Sequence, residues 1–226
     1  MKIMQNAMLS VLALSTYALN SATADEEALI AAVKAFAAAS NVQDQYPLGF
    51  DALKEAKKGT RPDVVGKDGE SALHLLAWSR YFMMRGDSPH YGLFEIFFKT
   101  PNLNINVQNK LGQTPLYLAA EGNVDLSEEA DLQFMREQSR ILEKLLNAGA
   151  NPNIASKSNT TPLSIAAENG YLKGIKLLLE KGAQTRVANQ WGNDAVKNAE
   201  RSTKNKGTKW QAIGIIKDWQ DTHPGQ

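Results

Sequence analysis

The chain has 226 residues, with 25 Lys or Arg against 24 Asp or Glu, and no cysteine. That charge balance gives no global field to attract nucleic acid or an anionic membrane. The missing cysteine excludes disulfides, thiolate metal sites and a lipid-modified cysteine. The first predicted element is an export signal. Lys2 is the only charge before Asp25, Met8 to Leu19 is mostly apolar, and Ala22-Thr23-Ala24 supplies a small-x-small pattern for cleavage after Ala24. The apolar stretch is shorter than the roughly 20 residues that span a bilayer. A cleaved signal at 1–24 is therefore expected in place of a membrane anchor, and no later stretch reads as a membrane span. Secreted eukaryotic domains of small size usually carry disulfides, so export without cysteine suits the periplasm of a Gram-negative bacterium.

The remaining residues read as helices joined by regularly spaced turns. Residues 26–39 form an Ala-rich amphipathic helix and 49–58 a second, shorter one. Ser71-Ala72-Leu73 follows a turn at Gly69 and opens a helix expected to run from Ala72 through WSRYFMM. Arg85 to Pro89 breaks it, and Tyr91 to Lys99 makes the next helix. Thr114-Pro115-Leu116 follows Gly112 and opens a helix from Pro115 to Glu121. After it, Ser127 is a candidate N-cap, and Glu128, Glu129 and Asp131 favour the positive end of a helix running to about Asn147. Thr161-Pro162-Leu163 follows Asn159. Thr161 can cap that helix, and Pro162 suits its first position because the missing N–H costs nothing there. Leu172, Ile175, Leu178 and Leu179 line one face of the following helix, which Gly182 ends. The last element, WQAIGIIKDW, is expected to turn Trp210, Ile213, Ile215 or Ile216, and Trp219 inward. Gly69, Gly112, Asn159 and Gly192 occupy one position at spacings of 43, 47 and 33 residues. Asn in place of Gly is sensible where a turn needs φ > 0.

The three signature copies, the 33-residue spacing and the ending ILEKLLNAGANPN resemble the ankyrin-repeat family. The resemblance implies an all-α solenoid of helix-turn-helix repeats with β-turn tips. The expected organisation is an N-terminal helical cap at 25–63, a divergent repeat at 64–105, a repeat with an insertion at 106–153, a repeat at 154–187 and a C-terminal cap at 188–226. The two extra segments are read as helical insertions. Terminal units must shield the apolar ends of a stack, so divergence there is expected.

The family binds partner proteins along turn tips and the outer side of first helices. Carried over by position, the contact residues here are Lys67, Asp68, Glu70 and Trp78, with Tyr81 from the first insertion. Lys110, Leu111 and Gln113 follow, then Lys157, Ser158, Thr160, Glu168 and Asn169, and finally Gln190 and Trp191. Lys67, Lys110 and Lys157 recur at one turn position, so they are expected to stack as a ladder facing an acidic strip on a partner. Trp191 is either an interface anchor or folded over the C-terminal cap.

No HExxH, GxSxG or P-loop pattern is present. His74 matches the family's TPLH position, where the ring hydrogen-bonds within the turn framework. Gly86-Asp87-Ser88 with Asp221 and His223 is a weak hydrolase pattern. No enzyme activity, cofactor or metal is expected, and no basic-aromatic helix suggests nucleic-acid reading. The chain resembles small exported bacterial ankyrin proteins, some of which neutralise antibacterial effectors, including lipases delivered by type VI secretion. The resemblance implies an immunity or inhibitor protein whose partner is a toxic effector enzyme such as a phospholipase. The alternative is an accessory protein supporting a periplasmic enzyme in catalase or peroxide defence.

Overall fold

A computed structural model describes residues 22–39, 42–79, 88–121, 130–202 and 207–224. Ten helices occur among them, and no strand. In chain order these are α1 (Ala24–Ala38), α2 (Val42–Ala56), α3 (Ala72–Trp78), α4 (Pro89–Phe98), α5 (Pro115–Glu121), α6 (Ala130–Asn147), α7 (Pro162–Asn169), α8 (Leu172–Glu180), α9 (Ala195–Arg201) and α10 (Lys209–Thr222). Odd-numbered helices pack on one another in sequence, and so do α2 with α4 and α6 with α8 and α10. The result is two layers of stacked helical pairs, a solenoid in which each pair touches its neighbours.

One turn geometry recurs four times before α3, α5, α7 and α9. The N–H groups of Gly66, Asn109, Ser156 and Asn189 donate to the carbonyls of Glu70, Gln113, Thr160 and Asn193 at 2.9–3.0 Å. The residue before each acceptor has positive φ: Gly69 87°, Gly112 73°, Asn159 57° and Gly192 75°. The shared position expected from spacing is therefore a shared backbone conformation. Ser71, Thr114, Thr161 and Asp194 then each accept the backbone N–H three residues on, capping the four helices.

The core runs continuously between the two layers. Leu29, Val33, Leu73, Leu76, Phe94, Phe97, Leu116, Leu142, Leu145, Leu163, Leu178 and Ile216 are all fully buried. Polar links join successive units outside this core. Asp63 accepts the Asn104 N–H at 2.6 Å, Asn106 accepts that of Asn151 at 2.8 Å, and Asn153 accepts that of Gln184 at 2.8 Å. Backbone bonds also link the turn tips, from Lys110 to Gly69, Lys157 to Leu111 and Gln190 to Ser158.

Several elements differ from expectation. The first helix starts at Ala24, with Thr23 and Glu26 forming a capping box. The second starts at Val42, seven residues before the expected 49, and contains Pro47. Helix α3 stops at Trp78, because Ser79 turns extended at ψ 127° and its Oγ meets His90 Nε2 at 3.1 Å. In the last helix Ile213 and Ile216 are buried and Trp219 packs against the core, but Trp210 is 74% exposed. Among the described residues no further unit stacks beyond α10 to cover that ring. The export signal through residue 21, Tyr81, Phe82, Arg85-Gly86-Asp87, Ser127, Glu128 and Glu129 lie outside the described residues.

Candidate functional site

The four turns bring most of the expected contact residues onto one edge of the stack. Leu111 is 60% and Trp191 67% exposed, both at the position preceding the turn glycine, and Trp78 is exposed at the end of α3. Trp191 thus stands out from the turn instead of folding over α10. Its backbone N–H donates to Asn189 Oδ1 at 3.0 Å, and the Asn193 N–H donates to the same oxygen. Asn109 holds the second turn in the same way through Leu111 and Gln113. The sequence reading missed both asparagines. Their signal was recurrence three residues before the turn glycine, a place where an Asx turn is favoured.

The lysine ladder is only partly formed. Lys67 and Lys157 are exposed, but Lys110 folds back across Gly69 and its Nζ donates to the Lys67 carbonyl at 2.6 Å. The room comes from Gly69, where an added Cβ would lie 2.2 Å from Lys110 Cγ. A carbonyl dipole and a neighbouring carboxylate at Asp68 offer the ammonium a better place than a third parallel position beside like charges. Asp68 itself pairs with Lys34 at 2.6 Å on the open surface, and the hydrogen bond and charge of Lys34 hold its carboxyl below the usual range.

Glu70 is half-buried and accepts from Asn109 Nδ2 at 2.9 Å, and burial raises its carboxyl above the usual range. Gln113 closes the second turn, taking the other bond from that amide at 3.0 Å. Ser158 Oγ lies 2.9 Å from Ser156 Oγ and 3.0 Å from Thr160 Oγ1. Thr160 and Asn169 are buried; Asn169 donates to the Glu121 carbonyl in the preceding unit. Asn169 thus links two units, and the bonds of Thr160 stay within its own turn, so both expected contact residues also serve the framework. Gln190 is exposed.

A cleft of about 410 Å³ opens beside the last two turns, lined by Thr160, Glu168, Asn189, Trp191, Asn193, Asn198, Arg201 and Ser202. Three expected residues, Thr160, Glu168 and Trp191, meet there. Asn198 and Arg201 of α9 and its C-cap Ser202 were not anticipated, because in the last unit contact positions were carried over only to the turn, at Gln190 and Trp191.

His74, Ser88 and His223 each take part in local structure. His74 is fully buried; its Nδ1 accepts from Ser71 N–H at 3.3 Å and faces Ser71 Oγ at 2.7 Å, while Nε2 donates to the Gln113 carbonyl at 2.9 Å. Burial lowers its pKa to about 4. Ser71 is fully buried too, so no substrate carbonyl can reach it. Ser88 is buried and caps α4 by accepting the Tyr91 N–H at 3.3 Å, and His223 stacks on Trp219 with ring centroids 3.9 Å apart. Among the described residues no group of three His, Cys, Asp or Glu could hold a metal ion, and no helix is long and apolar enough to cross a membrane.

The pattern has relatives. NF-kappa-B inhibitor alpha of Sus scrofa is 30% identical over 134 residues, 58% of this chain and 36% of that protein. Rabankyrin-5 of Homo sapiens is 37% identical over 114 residues, 49% of this chain and 9% of that protein. Putative ankyrin repeat protein YahD of Escherichia coli K12 is 29% identical over 97 residues, 42% of each chain. The chain thus spans about a third of the NF-kappa-B inhibitor and less than half of the other two. Residues 84–189 and 133–207 match the family model for ankyrin repeats (3 copies), together more than half of the sequence. With four turns that share one hydrogen bond and one positive-φ position, and stacked helical pairs beneath them, the chain belongs to the ankyrin-repeat family, whose units serve as protein-binding modules.

Proposed function

We propose that this protein is an exported inhibitor that binds a toxic effector enzyme, such as a secreted phospholipase, in the periplasm and blocks it. The supporting observation is that Leu111 and Trp191 stand exposed on turn tips and Trp78 at the end of α3, with Trp191 at the rim of a polar cleft. Large apolar groups held in solvent by rigid backbone lose little freedom on binding and exclude water when covered, which is the profile of an interface anchor. The likeness to a protein named as an inhibitor supports a blocking role. The start of the chain, with a lone Lys2, an apolar stretch and Ala22-Thr23-Ala24, supports export.

The test is co-expression of this chain with an effector enzyme encoded beside it, directed to the periplasm of a susceptible host. The wild-type chain restores growth, and the double variant Leu111→Ala/Trp191→Ala loses protection while keeping its melting temperature. If a folded, exported chain leaves the effector lethal, or the double variant protects as well as wild type, the reading is wrong.

A further inference from the structure

Asn198 breaks the pattern of its own repeat. Counting four residues on from the helix cap gives Leu75, Leu118 and Ile165 in the three preceding units, each a buried aliphatic, and Asn198 in the last. Asn198 is as buried as they are, at 7% exposure. Its neighbour Asn189 is fixed in orientation, because Asn189 Oδ1 already accepts two backbone N–H groups of its turn. Asn189 therefore offers Nδ2, and Asn198 must answer with Oδ1, at 3.3 Å. That leaves Asn198 Nδ2 pointing elsewhere as a buried donor with no acceptor. Buried donors are nearly always satisfied, and exceptions call for a reason.

The surroundings supply one. Asn198 and Arg201 are spaced i and i+3 on α9 and Ser202 is its C-cap, and all three line the cleft. Arg201 is exposed, and its guanidinium has no hydrogen bond or ion pair among the described residues. Trp191 forms the exposed rim. The carboxylate of Glu168 also lines the cleft, but it has other interactions. An amide donor and a guanidinium on one helix face complement a carboxylate, which accepts on both oxygens, and the indole can cover the apolar stem that carries it.

Resting on the reading of this edge as a protein-binding surface, we propose that the cleft receives an acidic side chain, Glu or Asp, from an extended segment of the partner protein. The carboxylate bridges Arg201 and Asn198 Nδ2, and the stem lies against Trp191. The donor is shielded from water in the free protein, so the incoming group must shift the exposed Arg201 and Trp191 side chains as it enters. Replacing an aliphatic with Asn198 serves recognition at the expense of the local core.

The test uses the full chain, isotope-labelled, titrated with acetyl-Gly-Glu-Gly-amide, with the matching Gln peptide and with sodium acetate. The proposal expects the side-chain signals of Asn198, Arg201 and Trp191 to move together with the Glu peptide. Affinity for the Gln peptide should be roughly tenfold weaker, as for loss of a charge-assisted bond. Asn198→Leu, which restores the pattern of the other units, and Arg201→Gln on the open surface should both fold and both lose the Glu-peptide response. Three results each overturn the proposal: no movement of those signals, equal response to Glu and Gln peptides, or an undiminished response in folded Asn198→Leu. Acetate binding as tightly as the Glu peptide overturns it too, showing a small-anion site. If the inhibitor test succeeds while the peptide test fails, only the cleft assignment falls; if Glu peptide binds but no effector is neutralised, only the inhibitor reading does.

Discussion

Gly174 lies beneath the ring of Tyr171, and a Cβ there would sit 2.3 Å from Tyr171 Cδ1. The ring cannot swing away freely, because it is fully buried and its hydroxyl donates to Ser139 Oγ at 2.9 Å. Gly174→Ala would normally stabilise a helix by removing backbone freedom. Here the overlap should dominate, and urea unfolding should show a loss of about 1–3 kcal/mol, as for other overpacked cores. A gain in stability would mean that the ring relocates at no cost. The turn residues were legible in the sequence because positive φ leaves only Gly and Asn as ordinary choices, and Asn159 fits that rule at 57°. Trp210 was not. Its spacing to Ile213 and Ile216 matches a helix face, but periodicity states which side chains share a face and not whether another element covers that end of it.

Helix boundaries followed the same division. The starts of α5 and α7 were legible from Thr-Pro, since a cap and a preset φ act within a few residues. The start of α2 was not, because packing against α1 overrides the local preference of Pro47. At α1 the cap itself makes a prediction. Thr23 N–H donates to Glu26 Oε2 at 2.8 Å, and Glu26 N–H to Thr23 Oγ1 at 3.3 Å. Cleavage after Ala24, as the proposed export requires, would remove Thr23 and leave the acidic first turn of Asp25, Glu26 and Glu27. A chain beginning at Asp25 should therefore be less stable than one beginning at Ala22 by about 1 kcal/mol, seen as a lower melting temperature. Between units, Asn153 is the clearest link: it accepts from Gln184 N–H and donates to the Gly182 carbonyl at 3.0 Å. Asn153→Ala should cost about 1–2 kcal/mol for two lost bonds. Hydrogen exchange should show the weakening localised to the two units it joins, α5–α6 and α7–α8.

In a molecule whose units touch only their neighbours, a weak unit divides the stack. Acid should create such a unit. His74 and His90 both belong to the pair α3–α4 and both are buried, with burial lowering their pKa values to about 4 and about 3. Unfolded, each returns to about 6.5. Above that value both states are neutral and the full stability is present. As pH falls from about 6.5 toward 4 and 3, the unfolded chain takes up protons that the folded chain does not, so stability declines. The slope is about 1.4 kcal/mol per pH unit for each histidine while the difference lasts. Glu70 works in the opposite sense, since its raised carboxyl favours the fold at low pH, but it is only half-buried and acts through one group. Protonating His74 Nδ1 also removes the acceptor for Ser71 N–H and so breaks the capping box that starts α3. The expected result is that amides of α1 to α4 lose exchange protection between pH 7 and pH 5 before those of α7 and α8. His74→Gln/His90→Gln should flatten the pH dependence even though it lowers stability at pH 7. Uniform loss of protection along all ten helices, or an unchanged pH slope in the double variant, would place the acid sensitivity elsewhere in the chain.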